Sequence, residues 1–335
     1  MVDCEKSSNF AGMNLQMFRY ISLSVVLTAA LMLLSACSNS DDAPATAAPA
    51  EAAPQEVLFN ANVWRMMQGS PRRATTYDNQ AAIQEAGFKC YAYLAGSTTA
   101  YINGSEVSYA ASKWSFDDGK HYWPMSYNLD FFAHIPRVVP SYIQDVDGNP
   151  GQVTYYVHNP NFKCVMPMTN TGASGQNTVS EFVYALTTGQ SKAAQGASGV
   201  NLTFQHPFTK IILKLSSTQA AIEINKITLK TIKDHGTYVD DTGWSTTGDA
   251  TNFVAEYSGT KHANDELGTY IMIPQGWAGE IEVQATWIAW DDPTMHTLST
   301  TVSPVTWAAG TSYTYTFTIT ETDLIVDTTK FTEQW

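Results

Sequence analysis

Basic residues are scarce in this chain. It has 335 residues, with 18 Lys and Arg against 31 Asp and Glu, for a formal net charge of −13. An acidic surface of that size disfavours nucleic acid and anionic lipid headgroups, and it helps solubility. Charged residues of both signs make up only 15% of the chain. Thr, Ser, Tyr and Trp take their place, a composition that suits sheet better than helix. Cysteine is scarce as well, at four residues. Cys90 and Cys164 are the two in the body of the chain, and neither has a His or a second Cys at metal-ligand spacing. Cys90 alternates with Phe88 and Ala92, so buried free thiols are the expectation, packed as small hydrophobes. Whether the two pair is left open.

Sites for chemistry are missing too. The seven histidines are scattered, and none has the i, i+4 partner of a zinc helix. Gly172-Ala173-Ser174-Gly175 has the wrong spacing for a nucleophile elbow, and there is no phosphate-binding Gly-x-x-x-x-Gly-Lys. Asp145-Val146-Asp147-Gly148-Asn149 lacks the sixth-position Gly and terminal Glu of a calcium loop, and reads as a turn. Asp240-Asp241 and Asp291-Asp292 fall in turns. The sequence therefore points away from an enzyme and calls for no cofactor or metal. Trp287-Ile288-Ala289-Trp290 resembles a sugar-stacking platform, but Trp287 is in phase with Ile281, Val283 and Ala285 and reads as core.

There is one long apolar run, Ile21 to Leu34, with Arg19 ahead of it and Leu34-Ser35-Ala36-Cys37 at its end. A charged segment, an apolar segment and small residues at a cut make an export signal. The run is short for a membrane span of roughly 20 residues. Leu-Ser-Ala-Cys resembles the lipobox of bacterial lipoproteins, which implies that the Cys37 thiol takes a diacylglycerol and becomes the mature N-terminus. Met17 makes a better start than Met1, because Asp3 and Glu5 fit no such signal. Residues 1–36 are thus read as signal peptide and 37–55 as a lipidated tether. Ala43 to Pro54, rich in Ala and Pro, cannot bury a core. Ser38-Asn39-Ser40-Asp41-Asp42 resembles a surface-export signal, or is a solvated linker.

The body reads as all-β. Strands are expected at Glu56–Val63, Phe88–Tyr93 and Leu129–Ala133, with a helix over Asp78–Ala86 capped by Asp78 and ended by Gly87. Lys113–Pro124 reads as a hairpin about Asp117-Asp118-Gly119. Thr169–Thr178 and Thr187–Gly199 are polar breaks, the second being the best domain boundary. Beyond it come strands at Val200–Phe204, Ile211–Leu215, Ile222–Lys230, Tyr270–Ile273 and Ile281–Trp287. Tyr313, Tyr315, Phe317 and Ile319 alternate with threonines, which predicts one buried and one wet face. The expected organisation is two β-sandwich domains in series, 56–195 and 196–335.

Several segments together resemble the fimbrillin family of Bacteroidetes. They are Val57–Ala61 followed by Arg72-Arg73-Ala74-Thr75, then Gly87–Tyr93, Tyr122-Trp123-Pro124 and Leu129–Ala133. Val200–His206 running into Ile211 and Leu213, then Ile273-Pro274, Trp307–Tyr313 and the ending at Trp335 complete them. The resemblance implies two tandem transthyretin-like sandwiches and a surface-exposed outer-membrane lipoprotein that becomes a subunit of a type V pilus. It further implies that a trypsin-like, Arg-specific protease cuts after Arg73, with Arg72 and Arg65 as lesser candidates, and removes the first strand. A neighbouring subunit's C-terminal segment then fills the groove. Here that donor is Leu324, Ile325 and Val326 through Phe331 to Trp335, unless that strand is an internal edge strand. Expected partners are other fimbrial subunits, the protease, and a host protein or glycan. The competing reading is a non-polymerising surface lipoprotein or tip adhesin.

Overall fold

The computed structural model describes residues 53–63, 77–156, 159–170, 179–195, 198–216, 222–287, 292–320 and 322–331. The expected signal peptide, Cys37, Arg65, Arg72, Arg73, Trp290 and Trp335 lie outside them.

The described chain starts with β1 (Phe59–Val63), α1 (Gln80–Ala86), β2 (Phe88–Leu94), β3 (Ala100–Ala110), β4 (Lys113–Phe116) and β5 (Leu129–Ile135). Short strands follow: β6 (Ile143–Gln144), β7 (Thr154–Tyr156), β8 (Asn159–Val165) and β9 (Thr169–Asn170). Next come β10 (Val183–Gln190), the helical turn α2 (Lys192–Gln195), β11 (Val200–Phe204) and β12 (Thr209–Leu215). A long hairpin is made of β13 (Ile222–Val239) and β14 (Gly243–Glu256). After it run β15 (Thr260–Lys261), β16 (Glu266–Met272), β17 (Gly276–Trp277), β18 (Glu280–Trp287) and β19 (Asp292–Thr301). The last are β20 (Val305–Thr306), β21 (Ser312–Ile319) and β22 (Leu324–Phe331). The fold is all-β, as the composition and period-two patterns predict.

Three cores hold these strands. In the first, an antiparallel sheet in the order β10-β5-β2-β3-β4 faces the two-stranded parallel pair β1-β11. Phe88, Cys90 and Ala92 of β2 and Phe131 and Ala133 of β5 point into it, and so do Val200, Leu202 and Phe204 of β11. The sequence reading put β11 in the second domain; in the structure its apolar face is buried in the first core. In the second core, the sheet β16-β12-β21-β22 covers β19-β18-β13-β14. Ile211, Leu213, Tyr313, Tyr315 and Phe317 from one sheet meet Leu229, Ile281, Val283 and Trp287 from the other. A third core joins them. Phe132 and Tyr184, on the outer face of the first sheet, pack with Phe162 and Cys164 of β8, Tyr238 of β13, and Ile271 and Ile273.

β13 links the second and third cores. Its start pairs with β18, its length with β14 and its end with β8. Register shifts at Leu229/Ile232 and Lys233/His235 mark bulges, and Thr231 lies within the first at φ 63°. Bulges bend and twist a strand, which lets one hairpin serve two sheets.

Some local expectations are corrected. The helix is capped by Asn79, whose side chain accepts from the Ala82 amide at 2.9 Å, and not by Asp78. β4 pairs back with β3 through a turn at Ala111 and Ser112, both at positive φ, so Lys113–Pro124 is not itself a hairpin. The residues after the Asp117-Asp118 turn run beside 55–57 instead: the Val57 amide donates to His121 and the Trp123 amide to Gln55. Thr187–Gln190, expected to be break, is strand. The outer face of β21 is not wet throughout, since Ser312 and Thr314 are buried. Cys90 and Cys164 are unpaired and buried in different cores, where burial pushes both thiols' pKa up.

His134 of β5 is 0% exposed, and its Nδ1 is 2.8 Å from the Pro136 carbonyl. Burial, reinforced by Lys89, pushes its pKa down to about 4, against the raising effect of that hydrogen bond. An unfolded histidine titrates near 6.5. The unfolded chain therefore binds more protons between those values. The stability held by neutral His134 is full above pH 6.5, falls as pH drops to about 4, and is constant below. The expected loss is about 3 kcal/mol. Urea unfolding of wild type and His134→Leu across pH 4–7 checks this: the variant should lack that part of the slope, and parallel curves would refute it.

Candidate functional site

The first strand forms the site. Val57, Phe59, Ala61 and Val63 are buried, and Leu58, Asn60 and Asn62 alternate outward, the period-two pattern of a strand over a core. Phe59 sits deepest. Its ring meets Phe88 at 5.5 Å, Phe116 at 5.3 Å and Phe131 at 5.9 Å, all edge-on. Edge-to-face contact is a favoured aromatic arrangement.

Among the described residues, only one neighbour provides β1 with a strand ladder. β11 runs parallel to it, with Phe59 opposite Val200 and Val63 opposite Phe204, and the Val200 amide donates to Leu58 at 2.7 Å. Gly199 permits the approach. It has φ +81°, and a Cβ there would lie 2.9 Å from the Leu58 carbonyl. Further holds are Gln80 donating to the Ala61 carbonyl at 2.9 Å and the Asn60 side chain donating to the Ser198 carbonyl; just ahead of β1, the Val57 amide donates to His121, the Trp123 amide to Gln55, and Lys120 pairs with Glu56 at 2.9 Å.

The chain after residues 64–76 is anchored differently. The Tyr77 amide donates to Glu181 Oε2 at 3.0 Å, and the other Glu181 oxygen lies 2.5 Å from His206 Nδ1. The Glu181 and His206 side chains are 0% and 2% exposed. Burial, and next the Glu181 charge, push the Tyr77 pKa up to about 12. Asp78 pairs with Lys210 at 3.2 Å. A buried acid bonded to both a backbone amide and a histidine is costly to break. Sequence reading missed this anchor and the β1–β11 pairing. The signal was weak, since Glu181 and His206 stand far from Tyr77 in sequence.

The expected donor segment forms β22. It is the edge strand of its sheet and pairs antiparallel with β21 alone, from Ser312 opposite Phe331 to Ile319 opposite Leu324. Leu324 is buried, Val326 is half-buried against the second core, and Ile325 is 53% exposed. Phe331 closes the ladder and Trp335 lies outside the described residues. In this chain, then, the segment occupies its own sheet's edge.

The other candidates resolve as structural features. Trp287 is buried in the second core and stacks on His296 at 5.2 Å. Asp145 accepts from the Asp147 and Asn149 amides and the Asn149 side chain within its own turn, bonds that lower its pKa. Asp240 is bonded by the Tyr184 hydroxyl. Among the described residues, no group of three His, Cys, Asp or Glu is placed to hold a metal ion, and no helix is long and apolar enough to cross a membrane.

No curated protein matches the chain. Its fold is similar to a fimbrial protein from Bacteroides vulgatus, with TM-score 0.52 and 13% identity, covering 84% of this chain and 99% of that one. It is also similar to candidate cell-adhesion proteins from Bacteroides ovatus (TM-score 0.51, 16% identity, 82% and 95% covered) and Bacteroides uniformis (TM-score 0.50, 16% identity, 84% and 98% covered). At such identities these likenesses concern the fold alone. A family model described as fimbrillin-like matches residues 73–335. With β1 lying just ahead of that match and the rest of the described body almost wholly within it, the chain belongs to the fimbrillin-like family, a family of fimbrial proteins and not of enzymes.

Proposed function

We propose that the chain is a structural subunit of a surface fimbria, assembled by removing β1 and replacing it with a neighbour's C-terminal strand. The observation that carries this reading is the unequal hold on either side of residues 64–76. β1 is an apolar plug on a single ladder, whereas Tyr77 and Asp78 are tied to buried charge. A cut after Arg73, or after Arg72, separates the two. The plug is then free to leave and the body keeps its anchor.

Removing β1 uncovers the sites of Val57, Phe59 and Val63. At roughly 1.5–3 kcal/mol for each large apolar side chain, the exposed groove costs on the order of 5–10 kcal/mol. That is comparable with the whole stability of a domain, so the groove is driven to refill. An extended strand from another subunit restores both the ladder to β11 and the apolar filling. β22, with Leu324, Ile325, Val326 and Phe331 and then Trp335, is the proposed donor. It leaves one ladder and one fully buried described side chain, Leu324, to do so. Donor and acceptor lie on different surfaces, so the contact is head-to-tail and propagates. In this reading the body forms two sandwich domains that divide after β11, and Cys37 carries the lipid that holds the uncut subunit at the outer membrane.

Treating the purified chain with an Arg-specific protease should give ladders on unboiled gels and fibres by electron microscopy. Arg72→Ala/Arg73→Ala and a chain stopped at Glu321 should give neither. Phe59→Ala should release the cut strand faster, since a buried Phe→Ala change costs about 3–5 kcal/mol. A truncated chain that polymerises as well as wild type would remove β22 as the donor.

Metabolic labelling with a palmitate analogue should mark wild type and not Cys37→Ala. Equal labelling of both would place the anchor elsewhere.

A further inference from the structure

A pocket of about 260 Å³ opens on the outer face of the five-stranded sheet. Lys89, Tyr91 and His134 line it from β2 and β5, and Arg137, Val138 and Val153 line it from the chain that follows β5. Lys89 and His134 stand directly opposite each other across the two strands, so their side chains rise from the same face. Tyr91, two residues on, shares that face, with its ring stacked near that of His134 at 6.0 Å and 26°.

The lining has polar atoms without partners. His134 Nδ1 faces the Pro136 carbonyl at 2.8 Å. A carbonyl only accepts, so Nδ1 carries the hydrogen and Nε2 of the neutral ring is a bare acceptor. Nε2 is buried and meets no hydrogen-bond partner. Arg137 Nε is a buried donor in the same condition. The terminal nitrogens of Arg137 are already engaged, Nη1 by Glu106 at 3.0 Å and Asp117 at 3.1 Å, and Nη2 by the Val107 carbonyl at 3.1 Å and Ser108 Oγ at 2.6 Å. Lys89 Nζ makes no hydrogen bond or ion pair with the described residues.

Charge around the pocket is balanced, Lys89 and Arg137 against Glu106 and Asp117. There is no surplus to draw an ion, and the net charge of −13 works against an anion. What is unmet is one acceptor and two donors beside an aromatic ring and three valines. A hydroxyl both donates and accepts, so a polyol meets all three without bringing charge. Its CH face suits Tyr91, Val138 and Val153. At 260 Å³ the space falls just below the roughly 300–1,000 Å³ of drug-sized sites. It is several times the ~30 Å³ share of one water, room for one six-membered sugar ring.

We propose that this pocket binds a single pyranose unit of a neutral glycan, with a hydroxyl donating to His134 Nε2 and other sugar oxygens accepting from Arg137 Nε and Lys89 Nζ. The site lies on the opposite face of the five-stranded sheet from β1 and does not depend on fibre assembly. Binding is therefore measured on the uncut chain, and its failure would leave the assembly reading untouched.

D-glucose, D-galactose, D-mannose and N-acetyl-D-glucosamine are titrated by ligand-observed NMR, with D-glucuronate and inorganic phosphate as charged controls. At least one neutral sugar should bind with Kd roughly 1–10 mM, and the charged probes at least about tenfold more weakly. Lys89→Met, and Val138→Asp at the 79% exposed mouth, should each weaken binding at least roughly fivefold with unchanged circular dichroism. His134→Leu should abolish it; if that variant does not fold, the other two decide. The proposal is overturned if none of the four sugars binds by about 100 mM, which would leave a pocket holding water only. It is also overturned if Lys89→Met binds as wild type does, or if glucuronate or phosphate binds as tightly as the best sugar.

Discussion

A sheet with one apolar face needs a second layer, and in the first half of this chain that layer includes a pair of strands, β1 and β11. Phe59 closes the aromatic cluster of Phe88, Phe116 and Phe131, and β11 supplies the ladder. Among the described residues, no other strand pairs with β1. Its burial is strong because Phe59, Ala61 and Val63 point inward, while its hydrogen bonding is thin because, among the described residues, one edge has no strand on it. That combination of large apolar burial and a single ladder makes a strand replaceable by another of the same pattern.

The same economy appears at the chain's other end, where β22 is held through β21 alone and buries Leu324 almost by itself. Between the two ends the body is tied more firmly. The third core takes Phe132 and Tyr184 from the first sheet, Phe162 from β8 and Tyr238 from the long hairpin, and the hydroxyls of Tyr184 and Tyr238 meet at 2.7 Å. Neither terminal strand contributes to this third core. The Glu181–His206 pair carries the firmer hold up to Tyr77, the first described residue after the expected cut.

The outer face of the first sheet carries chemistry of a different kind. Alternation on β2 and β5 sends Phe88, Cys90, Phe131 and Ala133 inward, and sends Lys89, Tyr91, Phe132 and His134 to the other side. Part of that side is sealed by the third core. The remainder, under residues 137–139 and 151–153, stays open as the pocket. One strand register thus sets both the core and the polar atoms facing the cavity, because a shift by one residue would exchange them.

Period-two patterning made several strands legible in sequence: β2 and β18 bury alternate residues, and β5, β12 and β21 carry large apolar residues at alternate positions although their other faces are largely covered too. The helix end at Gly87 was legible because its φ of 63° suits glycine. The missed strands share a physical cause. β3 carries Gly104 at φ +75° beside a register shift, which breaks its alternation. Much of β14, from Ser245 to Asn252, is polar on both faces, and it is a strand because the backbone groups of β13 need partners. Sequence by itself determined an acidic all-β body, the apolar run ending in Cys37, and the apolar first and last segments. Tertiary structure alone decided that β11 belongs with β1, that Glu181 anchors Tyr77, and that Lys89 and His134 share a cavity. Each of those depends on residues far apart in the chain meeting across a sheet, and no local pattern encodes such a meeting.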